Sequence, residues 1–142
     1  MMEHYCSPRG FDFEINGSDE PWNNDNSSKD FNAEDEAKEL MKNVDNRAVH
    51  YLTDHILMVM GCDFEYMDAH ANYRNMDNMI SYMNTHYGDK YHFQYSTPSN
   101  YVDAVSAVNV TWPTKYDDMF PYADGPDAYW TGYFTSRPDD KD

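Results

Sequence analysis

The sequence predicts an α/β fold: a slice of a larger parallel α/β layer or barrel, with two strands, about three helices and a long aromatic C-terminal loop. Three observations predict it. Helix-like and strand-like patterns alternate along the chain, as they do where parallel strands are joined by crossovers. The run His55-Ile56-Leu57-Met58-Val59-Met60 is short and almost continuously apolar, which suits a strand buried on both faces of a parallel sheet. Two strands alone leave both edges open and make a poor sheet, so the pattern is that of a part of something larger.

The elements follow in order. Residues 1–30 are rich in Asn, Ser, Asp, Gly and Pro, residues that favour turns. They are expected as an irregular N-terminal segment, a surface loop or a frayed end, distinct from residues 31–142. A first helix is predicted from about Ala33 to Val44, with Asn32 as N-cap and acids in the first turn. Ala33, Ala37, Leu40, Met41 and Val44 fall on one face. The apolar run at 55–60 is the first predicted strand. A second helix is predicted over about Ala69 to Thr85, its stripe made by Tyr73, Met76, Met79, Ile80 and Met83 and its end marked by Gly88. A methionine stripe of this kind is core before it is a ligand set. Tyr91 to Tyr95 alternates aromatic and polar residues and is the second predicted strand. Thr97-Pro98 is an N-cap and first helical position, and Tyr101, Val102, Val105 and Val108 continue at helical spacing. From Trp112 onward the chain is expected as an extended functional loop.

Composition narrows the function. The 142 residues suit one domain. Asp and Glu number 26 against 10 Lys and Arg, for a net charge of -16. That field repels nucleic acid phosphates and anionic lipid, so no nucleic acid and no membrane partner is expected, whereas neutral sugars carry no penalty. Aromatics make up 16% of the chain, too many for a disordered polymer, although the mean hydropathy of -0.93 is that of a very polar surface. Cys6 and Cys62 form no CxxC and are expected as free thiols. Met1 to Gly10 holds no apolar run, so no signal peptide and no transmembrane segment is expected. Asn16, Asn26 and Asn109 nevertheless open N-glycosylation sequons, a combination that suits a fragment of a secretory protein.

Asp63 is the first candidate for chemistry. It follows the apolar run at the C-terminal strand end, where ligands collect in α/β folds. Gly61 lets the backbone turn there, and Phe64 is placed to supply an apolar wall that keeps a carboxylic acid protonated. The bland alternative is a capping aspartate. The second candidate is the stretch from Asp117 to Pro138, where carboxylates interleave with aromatic rings. Acids accept hydrogen bonds from hydroxyls and ring faces stack on pyranose C–H faces. Its Asp spacing does not match an EF-hand. The six histidines fall in no zinc spacing such as HExxH, and no His-X-Asp, Walker A, GxGxxG or GxSxG occurs.

At these residues the chain resembles the glycoside hydrolase family 38 α-mannosidases of lysosomal type. The resemblance rests on Phe120-Pro121-Tyr122-Ala123-Asp124-Gly125-Pro126, then Tyr129-Trp130-Thr131-Gly132-Tyr133-Phe134-Thr135-Ser136-Arg137-Pro138, and on Val59-Met60-Gly61-Cys62-Asp63-Phe64-Glu65-Tyr66, similar to the family's Gly-X-Asp-Phe element. Tyr95-Ser96-Thr97-Pro98 and Asn109-Val110-Thr111-Trp112 are similar as well. It covers most of the chain and is weakest over residues 1–30, so that residues 31–142 would be a partial catalytic domain. It implies an irregular α/β barrel, hydrolysis of α-linked mannose from N-glycans with retention, a bound zinc ion, and a lysosomal or secretory location. It gives Asp63 the acid/base role and Trp130, Asp124 and Tyr122 the substrate site. The family's zinc ligands, in His-X-Asp and His-His-Asp-Gly contexts, and its nucleophile in Asp-Pro-Phe-Gly are absent from this chain. Retention needs two carboxyl groups. The expectation is therefore a fragment inactive alone, with a mannose oligosaccharide and the rest of the catalytic domain as partners. Cys62, where the family has a small or acidic residue, is expected as tolerated variation. The rival class is a non-catalytic carbohydrate-binding or decoy module.

Overall fold

The computed structural model describes residues 5–17, 19–133 and 136–140. Ser18 of the first sequon and Phe134 and Thr135 of the C-terminal motif lie outside the described residues, as do Met1 to His4. The chain divides into two compact units, Met1–Val110 and Thr111–Asp142.

The first unit is built on three helices: α1 (Ala33–Ala48), α2 (Ala69–Tyr87) and α3 (Pro98–Ser106). Helix α1 starts at the predicted residue and runs one turn further. Ala33, Ala37 and Leu40 repeat at helical spacing and are all fully buried, while Glu34, Asp35 and Glu36 meet the positive end of the helix dipole and Arg47 the negative end. Lys38 bridges Glu34 at 3.1 Å and Asp35 at 3.0 Å on the exposed face, where water screens the pairs and leaves them little to add to stability. Met76, Met79 and Met83 carry the buried face of α2, which packs on α1. Tyr73 of the predicted stripe stays half exposed. Helix α3 is capped as predicted: the Thr97 side chain accepts a hydrogen bond from Asn100 N at 3.2 Å, and Pro98 takes the first turn. No residue of α3 is buried.

Asn32 corrects the expected cap of α1. Its side chain makes no cap bond. Instead Oδ1 accepts from Asn23 N at 2.8 Å and Nδ2 donates to Pro21 O at 3.0 Å, so it fastens the preceding segment to the helix start. The expectation that residues 1–30 form a surface loop or frayed end also fails over the described part. Phe11, Phe13 and Trp22 lie in the same core as α1 and α2, and Pro8 is fully buried. The buried Asn75 of α2 accepts from Trp22 N at 2.9 Å and donates to Ala71 O at 2.9 Å, which pairs a backbone group that burial would otherwise penalise. Turn-rich composition described the backbone correctly and the burial wrongly.

Neither predicted strand, 55–60 or 91–95, takes part in a ladder among the described residues. A strand needs a neighbouring strand to pair its N–H and C=O groups, and among the described residues no strand pairs with these segments. Both line one cavity of about 670 Å³, with Leu57, Met58, Phe93 and Tyr95 in its wall. Tyr95 donates its hydroxyl to Asp77 Oδ1 at 2.8 Å. Burial and that carboxylate hold the phenol well above its ordinary range.

The second unit holds an antiparallel hairpin, β1 (Tyr122–Gly125) and β2 (Ala128–Trp130), within the stretch expected as a loop. Tyr122 pairs with Trp130, Ala123 with Tyr129 and Gly125 with Ala128, with an irregularity between Ala123 and Gly125. Pro126-Asp127 supplies the turn, and Asp127 adopts a φ of 57°, a left-handed conformation that Asp tolerates better than most residues. The Phe120–Pro121 peptide is cis.

Candidate functional site

Asp63 sits where the apolar run ends and the chain turns. Gly61 makes that turn at φ 147°, and an added Cβ would stand 3.4 Å from the Tyr66 ring, so a glycine belongs here. Phe64 and Tyr66 follow with φ of 58° and 64°, strained values for aromatic residues. Tyr66 is held in place: its N–H donates to Glu14 Oε2 at 2.6 Å and its hydroxyl to Met60 O at 2.7 Å. Asp63 is exposed, and its Oδ1 accepts the Tyr5 hydroxyl at 2.8 Å. Phe64 is 90% exposed, so the apolar wall expected beside Asp63 is not formed by that ring.

The cysteines correct a second expectation. Cys6 and Cys62 are joined in a disulfide with Cα atoms 4.2 Å apart. The adjacent residues explain the approach. Ser7 N donates to Gly61 O at 2.6 Å, and Gly61 N donates to Ser7 Oγ at 2.8 Å. Cys62 is therefore half of a cross-link, and the expected free thiols are not found.

In the second unit the hairpin brings Tyr122 and Trp130 together as a cross-strand pair, ring centroids 6.2 Å apart, and Tyr133 stacks on Trp130 at 6.0 Å and 28°. Trp130 is 48% exposed, and Asp124 is exposed on β1. Three of the four predicted site residues thus share one hairpin, while Asp63 belongs to the other unit. The ring group offers an apolar face, and the exposed Asp124 of the same hairpin offers hydrogen-bond acceptors. Sequence reasoning missed Tyr5, because a contact spanning 58 residues out of an irregular segment leaves no local pattern. It also left Tyr133 unassigned, although the density of rings around Trp130 was visible.

Residues 1–125 match the family model for the glycosyl hydrolases family 38 N-terminal domain. This chain belongs to that family. It is 44% identical over 136 residues to the lysosomal alpha-mannosidase of Dictyostelium discoideum, covering 94% of this chain and 13% of that protein. It is 44% identical over 135 residues to an alpha-mannosidase of Arabidopsis thaliana, covering 95% of this chain and 13% of the relative. The human lysosomal alpha-mannosidase is 38% identical over 136 residues, 94% of this chain and 14% of the relative. The family 38 chain therefore spans about one seventh of the length of these relatives.

Among the described residues no group of three or more His, Cys, Asp or Glu side chains is placed to hold a metal ion. The described residues therefore offer no donor set that fits the zinc ion implied by the resemblance. No helix among the described residues is long and apolar enough to cross a membrane.

The acids of the first unit make its stability depend on pH. Burial, then the charges of Asp19 and Glu20, hold the Glu36 carboxyl above its ordinary value of 4.5. Burial, then Asp12 and Glu14, do the same for Glu65. An acid whose folded value is raised binds its proton more tightly in the folded chain. Its contribution is full below the unfolded value and is lost as pH rises through the folded one. Hydrogen bonds to Ser27 lower Asp25 below 3.8, which acts in the opposite sense but only below that pH. The expected result is a melting temperature higher at about pH 5 than at about pH 7.5. Scanning calorimetry checks it, and a curve that rises from acid to neutral pH contradicts it.

Proposed function

We propose that this chain is a piece of the catalytic domain of a retaining α-mannosidase that removes α-linked mannose from N-glycans in a lysosomal or secretory compartment. The observation that supports the reading is the position of Asp63, exposed and hydrogen-bonded immediately after the Gly61 turn, in a chain of this family. In the proposal Asp63 protonates the glycosidic oxygen as its bond to the anomeric carbon breaks. The resulting carboxylate then takes a proton from the water that attacks the glycosyl intermediate. Tyr5 fixes the orientation of the carboxyl by holding Oδ1. Within the second unit, Trp130 and Tyr122 offer ring faces to a sugar, and Asp124 offers an acceptor for sugar hydroxyls. The unpaired segments 55–60 and 91–95 are, in this reading, strands of a parallel barrel whose neighbours belong to the rest of the domain.

The second carboxylate of a retaining enzyme lies about 5–5.5 Å from the first. Its Asp-Pro-Phe-Gly context is absent from this sequence, and so are the zinc motifs. One carboxyl can donate a proton but cannot also carry the sugar covalently. The chain alone is therefore expected to hydrolyse an aryl α-mannoside, with zinc added, no faster than buffer. Turnover by the purified chain would refute the reading. The exposed ring group Tyr122–Trp130–Tyr133 favours one second reading, a carbohydrate-binding module without catalysis. Titration with mannose while following tryptophan fluorescence decides for it if binding saturates at the hairpin.

A further inference from the structure

Residues 5–7 lie along residues 61–63 and are tied to them at each position. Tyr5 donates to Asp63 at 2.8 Å. Cys6 is bonded to Cys62. Ser7 exchanges hydrogen bonds with Gly61, 2.6 Å from its N–H to Gly61 O and 2.8 Å from Gly61 N to its Oγ. Among the described residues, Cys6, Ser7 and Gly61 are half-buried and Tyr5 is exposed. Buried residues begin only at Pro8 on one side, and Cys62, Asp63 and Phe64 are all exposed on the other. The geometry points to the Cys6–Cys62 disulfide as a redox-sensitive strap that positions Asp63 against Tyr5.

The chemistry is ordinary thiol–disulfide exchange with a dithiol reductant. The dithiol's thiolate attacks the sulfur of the exposed Cys62, and Cys6 leaves as a thiolate. The second thiol of the reductant then displaces Cys62 from the mixed disulfide. Two electrons and two protons reach the protein, which gains two thiols, and the reductant departs as a cyclic disulfide. The covalent tie between residues 6 and 62 is then gone, and the hydrogen bonds named above, exposed or half-buried, remain. Such bonds open at low free energy, so Asp63 loses the fixed orientation that Tyr5 gives it. Cys6 and Cys62 are positioning residues in this scheme, and the functional consequence rests on the proposed acid role of Asp63.

Amide hydrogen exchange on the 142-residue chain, with and without dithiothreitol, tests it. Reduction is expected to cut the protection of the Ser7 and Gly61 amides by about tenfold or more while the amides of α1 and α2 keep theirs, and reoxidation is expected to restore it. The double variant Cys6→Ser/Cys62→Ser is expected to match the reduced chain without reductant. Unchanged protection at Ser7 and Gly61 overturns the strap. A loss shared equally by the helices overturns it too, because the bond would then be a global cross-link. The carboxyl ¹³C shift of Asp63 gives a second readout. Tyr5→Phe, with the disulfide intact, is expected to move it, and reduction of the unmodified chain is expected to move it the same way. An Asp63 signal indifferent to reduction overturns the positioning role. None of these readouts needs turnover, so their failure leaves the acid role of Asp63 standing, and failure of the acid role leaves the strap standing.

Discussion

Replacing Asp63 with Asn is expected to lower the hydrolysis of an unactivated α-mannoside by about 10²- to 10⁴-fold, the usual contribution of a positioned general acid. That corresponds to roughly 3–5 kcal/mol of transition-state stabilisation at about 1.4 kcal/mol per tenfold. The assay uses a chimera in which these residues replace the matching 136-residue region of the Dictyostelium relative. Asn has the size of Asp and can still accept the Tyr5 hydroxyl through its Oδ1, so the 2.8 Å contact survives. What it lacks is a proton to give. The loss should therefore fall on kcat rather than on KM, because protonation of the leaving oxygen develops in the transition state. An aryl mannoside with an acidic phenol as leaving group needs less protonation, so it should lose less in glycoside cleavage than a methyl mannoside does. If the variant hydrolyses both at rates within a few fold of the parent chimera, Asp63 is not the acid and the proposed mechanism falls.

How much of this was legible in the sequence depends on the range of the interactions. Helix signals are local. Ala33, Ala37 and Leu40 at helical spacing, the methionines of α2, and Thr97-Pro98 before α3 each announce their element within a few residues, and the structure has all three helices. The capping role expected of Asn32 was not legible, because Asn competes equally well for loop backbone groups, and Asn23 and Pro21 claim it. Strands are non-local. The apolar run at 55–60 has the composition of a buried strand, but a ladder needs a partner, and composition cannot say that a partner lies in this unit. The hairpin of the second unit was hidden for a related reason. Its strands are four and three residues long, and density of Tyr, Trp, Gly and Pro describes a loop as well as a tight ribbon.

Of the candidate site, a Gly-X-Asp turn after an apolar run nominates Asp63 and rings interleaved with acids nominate the stretch from Asp117 to Pro138, while Trp130, Asp124 and Tyr122 were singled out within it only by the family resemblance. The ties from residues 5–7 to residues 61–63 were not legible, since they join positions more than fifty residues apart (54 for Ser7 and Gly61). Two cysteines in a sequence carry no distance between them. They bond because Ser7 and Gly61 bring the two backbones together, a fact that belongs to tertiary structure.

The largest stability effect is expected from Phe11→Ala. Composition places Phe11 in a turn-rich segment, where truncating a side chain at a frayed surface would change stability by less than about 0.5 kcal/mol. The structure places it at 1% exposure, edge-on to Phe13 at 6.3 Å and in one cluster with Leu40 of α1 and Met79 of α2. Removing a buried Phe ring loses both its transfer free energy and the contacts around the cavity it leaves, in total about 3–5 kcal/mol. Against the total of about 5–15 kcal/mol typical of a domain this is a large share, and it should lower the melting temperature by more than about 10 °C in a unit of this size. The exposed Leu52 provides the comparison, with Leu52→Ala expected to shift the midpoint hardly at all. Urea denaturation followed by far-ultraviolet circular dichroism measures both. The sign of the difference follows from one physical point: a segment without regular backbone can still be core, because burial depends on which side chains face the helices and not on whether the chain that carries them is itself a helix or a strand. Equal, small effects at Phe11 and Leu52 would mean that the N-terminal segment does not pack on α1 and α2 in solution, and that Asn75 does not hold Trp22 there.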